Sequence, residues 1–296
     1  MEEYKGEIVK VLCTSKCNSR CEHCLVCYKG ARDPDELVEI VRNLKKKYHV
    51  AMNGAEVLTN LEYLRAYKEV GQTWIMTNGL ALLDPKTIVA LHDNDIRSVS
   101  MSYHFGMHDE ISNVKTDTMK KIINIVKSND LNFRFLTTIS SLNYYLIESM
   151  CREAYDMGAK GIMFTNLIKQ GNGNDLDNSL FLNSEQLKEF FERLNNVRSI
   201  YDKSEFIIER SGTFENDETS LNKHFYCNCG NNRVYLSPDN NIYPCIFLTG
   251  SPYEIGRYID GKLMVYENIT HDTDKCIAKE ICNNGKQFSK VFKYNK

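Results

Sequence analysis

Residues 17–24 read Cys17-Asn18-Ser19-Arg20-Cys21-Glu22-His23-Cys24, and this stretch places three thiols close together in the chain. Three residues separate the first two cysteines, and two residues separate the last two. In a [4Fe–4S] cluster each iron is normally held by one cysteine thiolate, so three thiolates leave one iron without a protein ligand. The stretch therefore predicts a reactive cluster whose open iron binds a molecule other than the protein.

A zinc site is the alternative interpretation of the same stretch. Zinc takes four ligands in structural sites, and Cys27 or His23 would complete such a site with the three thiols. A disulfide would require an oxidising compartment.

The first five residues, Met1–Lys5, are polar and acidic, so we expect no signal peptide. No apolar run reaches the ~18 residues of a membrane span, and we therefore expect a cytoplasmic protein.

The composition is that of an ordinary globular protein. The chain has 296 residues, 42% of them hydrophobic, and a formal net charge of −2. This length allows one large domain and one small domain, and the charge gives no reason to expect nucleic acid or a membrane as a partner. Eleven cysteines in a reducing compartment indicate metal or redox chemistry, and they concentrate at residues 13–27 and 227–282.

Strand patterns alternate with helix patterns over the first two hundred residues. The predicted strands are 7–12, 48–52, 72–76, 96–102, 132–138 and 161–164. The predicted helices are 33–44, 61–69, 84–92, 116–128, 144–157 and 183–201, and Asp-Pro pairs at 33–34 and 84–85 begin two of them. This alternation predicts an α/β fold with a parallel sheet, and six units make a partial (β/α)6 barrel. Sites in such folds lie at the carboxyl ends of the strands.

Small and polar residues follow several of these strands. Asn53-Gly54-Ala55-Glu56-Val57 follows the second strand, Thr77-Asn78-Gly79 follows the third, and Ser102 ends the fourth. A glycine allows the backbone to approach a ligand closely, and a carboxylate complements an ammonium group. Each segment taken alone is also typical of an ordinary turn. Their order along successive strand ends favours one ligand site at this edge of the sheet.

Four further features have both a functional and a structural interpretation. His104 and His108 could form a substrate-facing pair or a proton relay, or they could be loop histidines without a chemical role. Arg134 in the fifth strand could contact an anion or lie on the protein surface. The segment Gly171-Asn172-Gly173 after the sixth strand could contact a ligand or form a flexible loop.

Together, Cys17, Cys21, Cys24 and the strand-end segments resemble the radical S-adenosylmethionine (radical SAM) enzymes. The resemblance implies that S-adenosylmethionine chelates the open iron through its amino and carboxylate groups. One electron from the cluster then cleaves the sulfonium and yields a 5′-deoxyadenosyl radical, which abstracts a hydrogen atom from the substrate.

The resemblance also implies roles for particular residues. Residues 54–56 match the family's Gly-Gly-Glu-Pro motif, which meets the ammonium of S-adenosylmethionine, although Ala55 and Val57 depart from its commonest form. Ser102 matches a serine that contacts the carboxylate of the same ligand, whereas His104 stands where many members have an acid. The full set of residues expected to contact S-adenosylmethionine is His23, Gly54, Ala55, Glu56, Thr77, Asn78, Ser102 and Arg134.

The second group of cysteines follows a hairpin pattern. Residues 227–245 read as two strands joined by a turn at Asp239-Asn240-Asn241, with cysteines at both ends. This pattern resembles the auxiliary-cluster domain of radical SAM enzymes, which has a long form (SPASM) and a short form (twitch). Five cysteines are too few for two further clusters, so we expect one auxiliary [4Fe–4S] cluster, and a zinc site is the alternative. The expected ligands are Cys227, Cys245, Cys276 and Cys282.

The cysteine left over from this set, Cys229, could replace Cys227 as a ligand or donate a hydrogen atom to a substrate radical. We treat Cys13 and Cys151 as buried cysteines without a chemical role, and Cys27 could be either. The chain is thereby divided into a radical SAM core at residues 1–204 and a SPASM/twitch-like domain at residues 205–296.

The resemblance leaves two reaction classes open. The first is modification of a ribosomally made peptide by a thioether link, a carbon–carbon cross-link or epimerisation. The second is dehydrogenation or rearrangement of a small molecule of the sugar or aminocyclitol type, with the auxiliary cluster as electron acceptor. Both require an external electron donor of the flavodoxin or ferredoxin type. Only about six residues precede the first strand, so we expect no N-terminal peptide-recognition domain.

Overall fold

The computed structural model describes residues 1–211, 230 and 232–267, together with the backbone of two short strands beyond them. The strands in this part are β1 (Glu2–Glu3), β2 (Ile8–Leu12), β3 (His49–Asn53), β4 (Trp74–Thr77), β5 (Ser98–Ser102), β6 (Asn132–Ile139), β7 (Gly161–Asn166), β8 (Ile207–Arg210), β9 (Arg233–Leu236), β10 (Asn241–Tyr243), β11 (Gly256–Ile259), β12 (Lys262–Val265), β13 (Thr270–Asp272) and β14 (Val291–Lys293). The helices are α1 (Pro34–Leu44), α2 (Leu64–Glu69), α3 (Pro85–Asp93), α4 (His108–Ile111), α5 (Thr116–Ser128), α6 (Ile147–Asp156) and α7 (Ser184–Arg198). None of these helices is long and apolar enough to cross a membrane.

The predicted helix starts at the two Asp-Pro pairs are confirmed. The Asp33 carboxylate accepts hydrogen bonds from the backbone N–H groups of Asp35 and Glu36, and α1 begins at Pro34. Asp84 caps α3 in the same way through the N–H of Lys86. These caps satisfy N–H groups that have no partner within the helix, so the start of each helix is decided by local sequence.

The strands form two large sheets. One is a five-stranded parallel sheet in the order β4-β5-β6-β7-β8, and the other is a curled seven-stranded sheet in the order β1-β12-β11-β10-β9-β2-β3. Within the second sheet β2 is parallel to both β3 and β9. All six predicted strands are present as β2–β7, and their ends differ from the prediction by no more than two residues.

The parallel strands divide between the two sheets at the seam between β3 and β4. No backbone ladder joins these two strands within the described residues. Instead, the buried Gln72 side chain accepts a hydrogen bond from the Met52 N–H at 2.8 Å and donates to the carbonyls of Met52 and Trp74 at 3.2 and 3.0 Å. One amide side chain thus takes the place of ladder hydrogen bonds at this seam.

One face of the five-stranded sheet is buried more completely than the other. The buried face carries apolar side chains that pack in the main core, namely Val99, Met101, Phe133, Phe135, Ile162, Phe164 and Ile208. On the other face Ser100 and Thr138 are buried, but most residues are partly exposed and more of them are polar than apolar, as Ser102, Arg134 and Thr165 illustrate. Parallel sheets are usually covered on both faces. Because this face is left partly exposed, it is accessible to a ligand.

The predicted C-terminal hairpin is present as β9 and β10, which pair with Ile242 opposite Leu236. The buried Arg32 side chain holds its turn, because the guanidinium donates to the carbonyl of Ser237 and, at 2.7 Å, to Oδ1 of Asn240. The predicted domain boundary after residue 204 stays a prediction. Strand β8 extends the parallel sheet, and β9 continues the sheet that contains β2.

Candidate metal centre and ligand site

The cysteine loop, residues 17–24, follows β2 and lies against the end of β3. The backbone N–H of Ala55 donates to the carbonyl of Thr14 at 2.9 Å, and that of Glu56 donates to Lys16 at 3.1 Å. A Cβ on Gly54 would lie 2.7 Å from Sγ of Cys13, so any side chain there would force Cys13 or the backbone to shift. The predicted segment 54–56 therefore supports the start of the cysteine loop.

The Glu56 carboxylate links the ends of β3 and β4. Its side chain is buried and accepts hydrogen bonds from the N–H of Asn78 at 2.7 Å and the N–H of Leu58 at 3.1 Å. The Thr77 hydroxyl lies 3.0 Å from both carboxylate oxygens. Burial raises the pKa of Glu56, and these hydrogen bonds act in the opposite direction. Glu56 and Thr77 therefore bond chiefly to the protein itself.

The Asn78 side chain connects β4 to the cysteine loop. Its Oδ1 accepts a hydrogen bond from the N–H of Leu80 at 3.0 Å. Its Nδ2 donates to Oδ1 of Asn18 at 2.8 Å and to Sγ of Cys17 at 3.6 Å. The end of the amide that faces the N–H of Leu80 must be the oxygen, because it accepts a hydrogen bond. The end that faces the sulfur is therefore the NH2 group, which donates.

Ser19 forms hydrogen bonds with two sulfurs of the loop. The backbone N–H of Ser19 lies 3.4 Å from Sγ of Cys17, and the Ser19 hydroxyl lies 3.2 Å from Sγ of Cys21. Burial raises the pKa of Cys17 and of Cys24, and neighbouring thiols raise both further. The three thiols therefore lie close enough to interact, and bound iron would stabilise their thiolate forms.

The donor set of the loop is compatible with a [4Fe–4S] cluster. Each thiolate of such a cluster binds a different iron, and three cysteine thiols stand on one loop with polar groups beside the sulfurs of Cys17 and Cys21. Among the residues that the structure describes, no three His, Cys, Asp or Glu side chains form a group that could hold a single metal ion. Binding of a cluster by Cys17, Cys21 and Cys24 stays a prediction.

Two buried histidines lie beside the loop at the end of β5. The His23 ring packs edge-on against His104, with ring centroids 4.4 Å apart, and its Nδ1 lies 3.2 Å from the carbonyl oxygen of Ile111. Nδ1 of His104 accepts a hydrogen bond from the N–H of Thr138 at 2.9 Å, and Nδ1 of His108 accepts one from the N–H of His104 at 3.2 Å.

These contacts fix the proton of each neutral ring on Nε2. Burial lowers the pKa of His104 well below its usual value and that of His108 to about 4, so both rings are neutral near pH 7. Both Nε2 atoms are buried and have no hydrogen-bond partner within the described part of the chain. A proton relay through charged imidazolium groups is therefore unfavourable here.

The segment after β7 contacts the other side of the loop. The backbone N–H of Asn172 donates to the carbonyl of Cys24, and its side chain donates to the carbonyl of Cys21, both at 2.9 Å. Gly171 has φ of +57°, and a Cβ there would overlap the carbonyl oxygen of Cys24. The glycine-rich segment that the sequence singled out therefore holds the cysteine loop, and its expected contact with adenosine stays a prediction.

Ser102 and Arg134 lie on the accessible face of the parallel sheet. Ser102 is the last residue of β5 and is half-buried. Arg134 lies farther from the strand ends, where it donates to Oγ of Ser100 and to the Glu209 carboxylate, each at 2.8 Å. These contacts hold the guanidinium within the sheet, and a role in binding S-adenosylmethionine stays a prediction for both residues.

The remaining cysteines differ in exposure. Cys13 and Cys151 are buried, as expected, and burial raises the pKa of each to about 12. Cys27 is exposed, and Cys245 is partly buried just after β10. The other four C-terminal cysteines lie outside the described residues, namely Cys227, Cys229, Cys276 and Cys282.

Several residues that build the site were not expected from the sequence. Asn18 accepts a hydrogen bond from Asn78, the Ser19 hydroxyl lies beside Sγ of Cys21, and the N–H of Leu58 donates to Glu56. Asn18 and Ser19 lie within the cysteine stretch itself, so their position was a usable signal. Leu58 contributes through its backbone, which no residue pattern reveals.

Comparison with known proteins places this arrangement in a structural class. No protein-family model and no curated protein matches the sequence. The fold is similar to that of Streptococcus suis SuiB bound to the precursor peptide SuiA, with a TM-score of 0.66 and 15% identity over 83% of this chain and 61% of SuiB. It is also similar to anSMEcpe with bound AdoMet, with a TM-score of 0.60 and 15% identity over 86% of this chain and 78% of that protein.

A third similar structure is anSMEcpe with bound AdoMet and the Cp18Cys peptide, with a TM-score of 0.57, 16% identity and coverage of 94% and 88%. These neighbours are radical SAM enzymes, which confirms the mixed α/β fold that the resemblance implied. The chain spans about three fifths of the length of SuiB. At these identities the likeness shows the fold alone.

Proposed function

We propose that this protein is a radical SAM enzyme whose cysteine loop holds a [4Fe–4S] cluster through Cys17, Cys21 and Cys24. The observation that carries the proposal is the position of the loop, which the ends of β3, β4, β5 and β7 all contact. Ligand-binding and catalytic sites in α/β folds typically lie at the carboxyl ends of the parallel strands. We further propose that the two sheets together form a partial (β/α)6 barrel.

When bound, the cluster and S-adenosylmethionine would supply an electron and the sulfonium from which a 5′-deoxyadenosyl radical forms. The protein's own residues would bind and orient this ligand. Ser102 would contact the ligand, because it lies at a strand end on the accessible side of the sheet. His23 would pack beside the ligand, and its ring is held in place by the carbonyl of Ile111 and the ring of His104.

The proposed substrate is a ribosomally made peptide. Support comes from the two structural neighbours, since SuiB binds the precursor peptide SuiA and anSMEcpe binds the Cp18Cys peptide in the structures compared. The partly exposed, polar face of the five-stranded sheet offers room and hydrogen-bonding groups for an extended chain. The product would be a cross-linked or epimerised peptide.

We also propose one auxiliary [4Fe–4S] cluster in a short, twitch-like C-terminal region. Its ligands would be Cys245 together with Cys227, Cys276 and Cys282, and Cys229 would be free to donate a hydrogen atom. An analysis that finds about eight iron atoms and about eight sulfide ions per chain would support two clusters. A content of about four iron atoms and about one zinc ion per chain would instead support a zinc site at the C-terminal cysteines.

The test is anaerobic incubation of the reconstituted enzyme with S-adenosylmethionine, an electron donor of the flavodoxin type and a short peptide encoded beside its gene. We expect 5′-deoxyadenosine together with a change in the peptide's mass. The matched control is the variant C17A/C21A/C24A, which should form neither product. A different result would support the dehydrogenation alternative and exclude a peptide substrate. In that result S-adenosylmethionine is cleaved, every such peptide stays unchanged, and a small molecule loses two hydrogens.

A further inference from the structure

We infer that Asn78 sets the reduction potential of the cluster by donating a hydrogen bond to the sulfur of Cys17. This inference rests on the proposed function, because it requires a cluster at the cysteine loop. It goes beyond that function by giving Asn78 an electronic role, in place of the contact with S-adenosylmethionine that the sequence resemblance implied.

Three observations define Asn78 as a donor to the sulfur. Its backbone N–H is held by the Glu56 carboxylate at 2.7 Å. Its Oδ1 accepts a hydrogen bond from the N–H of Leu80 at 3.0 Å. The remaining end of the amide is Nδ2, which lies 2.8 Å from Oδ1 of Asn18 and 3.6 Å from Sγ of Cys17. Exchanging the two ends of the amide would lose all three of these side-chain hydrogen bonds.

The buried Glu56 makes this geometry rigid. Its carboxylate accepts hydrogen bonds from Leu58, Thr77 and Asn78, so the end of β4 is tied to the end of β3. The Thr77 hydroxyl also accepts the N–H of Gly79 at 3.0 Å, which fixes the turn on the other side of Asn78. Asn78 therefore presents its amide to the loop from a preorganised support.

The direction of the effect follows from charge. Reduction adds one negative charge to the cluster and its thiolates, and a hydrogen-bond donor stabilises the more negative state more strongly. Hydrogen bonds to the sulfurs are one of the factors that set cluster potentials. The Nδ2–H of Asn78 therefore raises the reduction potential, so that a physiological donor can reduce the cluster more easily.

The test is an EPR-monitored redox titration of the reconstituted enzyme and two variants. Asn78→Leu keeps the size of the side chain but removes the donor. At a fixed potential we expect the ratio of reduced to oxidised cluster to be about tenfold lower in Asn78→Leu than in the wild-type enzyme. For a one-electron couple this corresponds to a midpoint potential about 59 mV more negative.

The matched control is Asn172→Leu. Asn172 donates through the same chemical group to the same loop, but its acceptor is the carbonyl oxygen of Cys21 and not a sulfur. The midpoint of this control should equal that of the wild-type enzyme. An unchanged midpoint in Asn78→Leu would overturn the inference, as would equal shifts in the two variants, because equal shifts would reflect loop packing.

A second measurement keeps the inference testable if Asn78→Leu does not fold or assemble the cluster. Wild-type enzyme labelled with ¹⁵N in its asparagine side chains should show coupling between the reduced cluster and an amide nitrogen in pulsed EPR, and Asn172→Leu should retain it. Absence of this coupling would overturn the inference. If the wild-type loop assembles no cluster at all, the proposed function fails instead, so the two failures are distinguishable.

Discussion

The two flanks of the cysteine loop differ in how completely their polar groups are paired. On the β4 flank, defined as Glu56, Thr77 and Asn78, each side chain bonds to another member of the flank or to the loop. On the β5 flank, defined as His23, His104 and His108, two buried Nε2–H groups have no partner within the described residues. Both flanks contact the same eight-residue loop.

This difference indicates a division between support and adaptability. A saturated buried network is rigid and costly to break, because each group left without its partner loses its hydrogen bond in a medium of low dielectric. A buried N–H group that lacks a partner has already lost that energy, so changing it costs less, and a ligand or an ordered water would satisfy it. The β4 flank thus holds the loop, whereas the β5 flank can adjust when a ligand binds.

The largest effect is expected for Glu56→Ala, which removes the central acceptor of the β4 flank. Two backbone N–H groups and the Thr77 hydroxyl would lose their partner, and the expected loss is about 3 kcal/mol of unfolding free energy. Urea unfolding followed by circular dichroism measures it. A loss below about 1 kcal/mol would mean that the β4 flank is not the rigid support described above.

A second substitution moves the loop without touching either flank. Gly171→Ala places a Cβ against the Cys24 carbonyl at positive φ, so we expect a loss of about 2 kcal/mol and a lower iron content after reconstitution. Gly71→Ala is the control, since Gly71 has φ of +70° but a Cβ added there would meet no other atom within 4 Å. Equal iron content in the two variants would argue that the contact with β7 does not position the cysteines.

The β5 flank should lose stability in acid. His108 has a pKa of about 4 in the folded protein and about 6.5 when unfolded, so between these values only the unfolded chain binds the proton. Stability therefore falls as the pH drops from 6.5 to 4, by about 1.4 kcal/mol per pH unit for this one proton. His108→Leu should lower the slope of unfolding free energy against pH by that amount. An unchanged slope would show that His108 titrates normally.

The smallest effect is expected for His104→Leu. This change deprives the N–H of Thr138 of its acceptor but also removes an unpaired buried N–H, and the two terms oppose each other. We expect a change of unfolding free energy within about 1 kcal/mol, measured beside Glu56→Ala under the same conditions. A loss as large as that of Glu56→Ala would remove the distinction between the flanks.

Local signals in the sequence predicted much of the fold. The caps at Asp33 and Asp84 lie within three residues of the groups they bond, so the sequence pattern is sufficient. Strand β8 was not predicted, because Ile207–Arg210 is only four residues long and two of them are charged. The seam at Gln72 was not predicted either, since a single buried glutamine has no pattern that reveals a bridge between strands.

For the candidate site, the sequence indicated which segments lie near one another but not the contacts between them. Residues 54–56, Thr77 and Asn78 lie beside the cysteine loop because carboxyl ends of parallel strands meet at one edge. Metal binding by Cys17, Cys21 and Cys24 stays a prediction. The partner of Glu56 could not be deduced from spacing, because Asn78 lies 22 residues away and reaches it only once β3 and β4 are adjacent. Arg134 was expected at the ligand, but its partner Glu209 lies on the strand that the sequence pattern missed.

The central claim is that the cysteine loop carries a cluster with one open iron. Reductive cleavage of S-adenosylmethionine tests it most directly, because it requires that iron and no knowledge of the substrate. Under dithionite, the reconstituted wild-type enzyme should form 5′-deoxyadenosine, and C17A/C21A/C24A should form none while keeping its C-terminal iron. Equal product from both proteins, or none from a wild-type enzyme with a full complement of iron, would contradict the account.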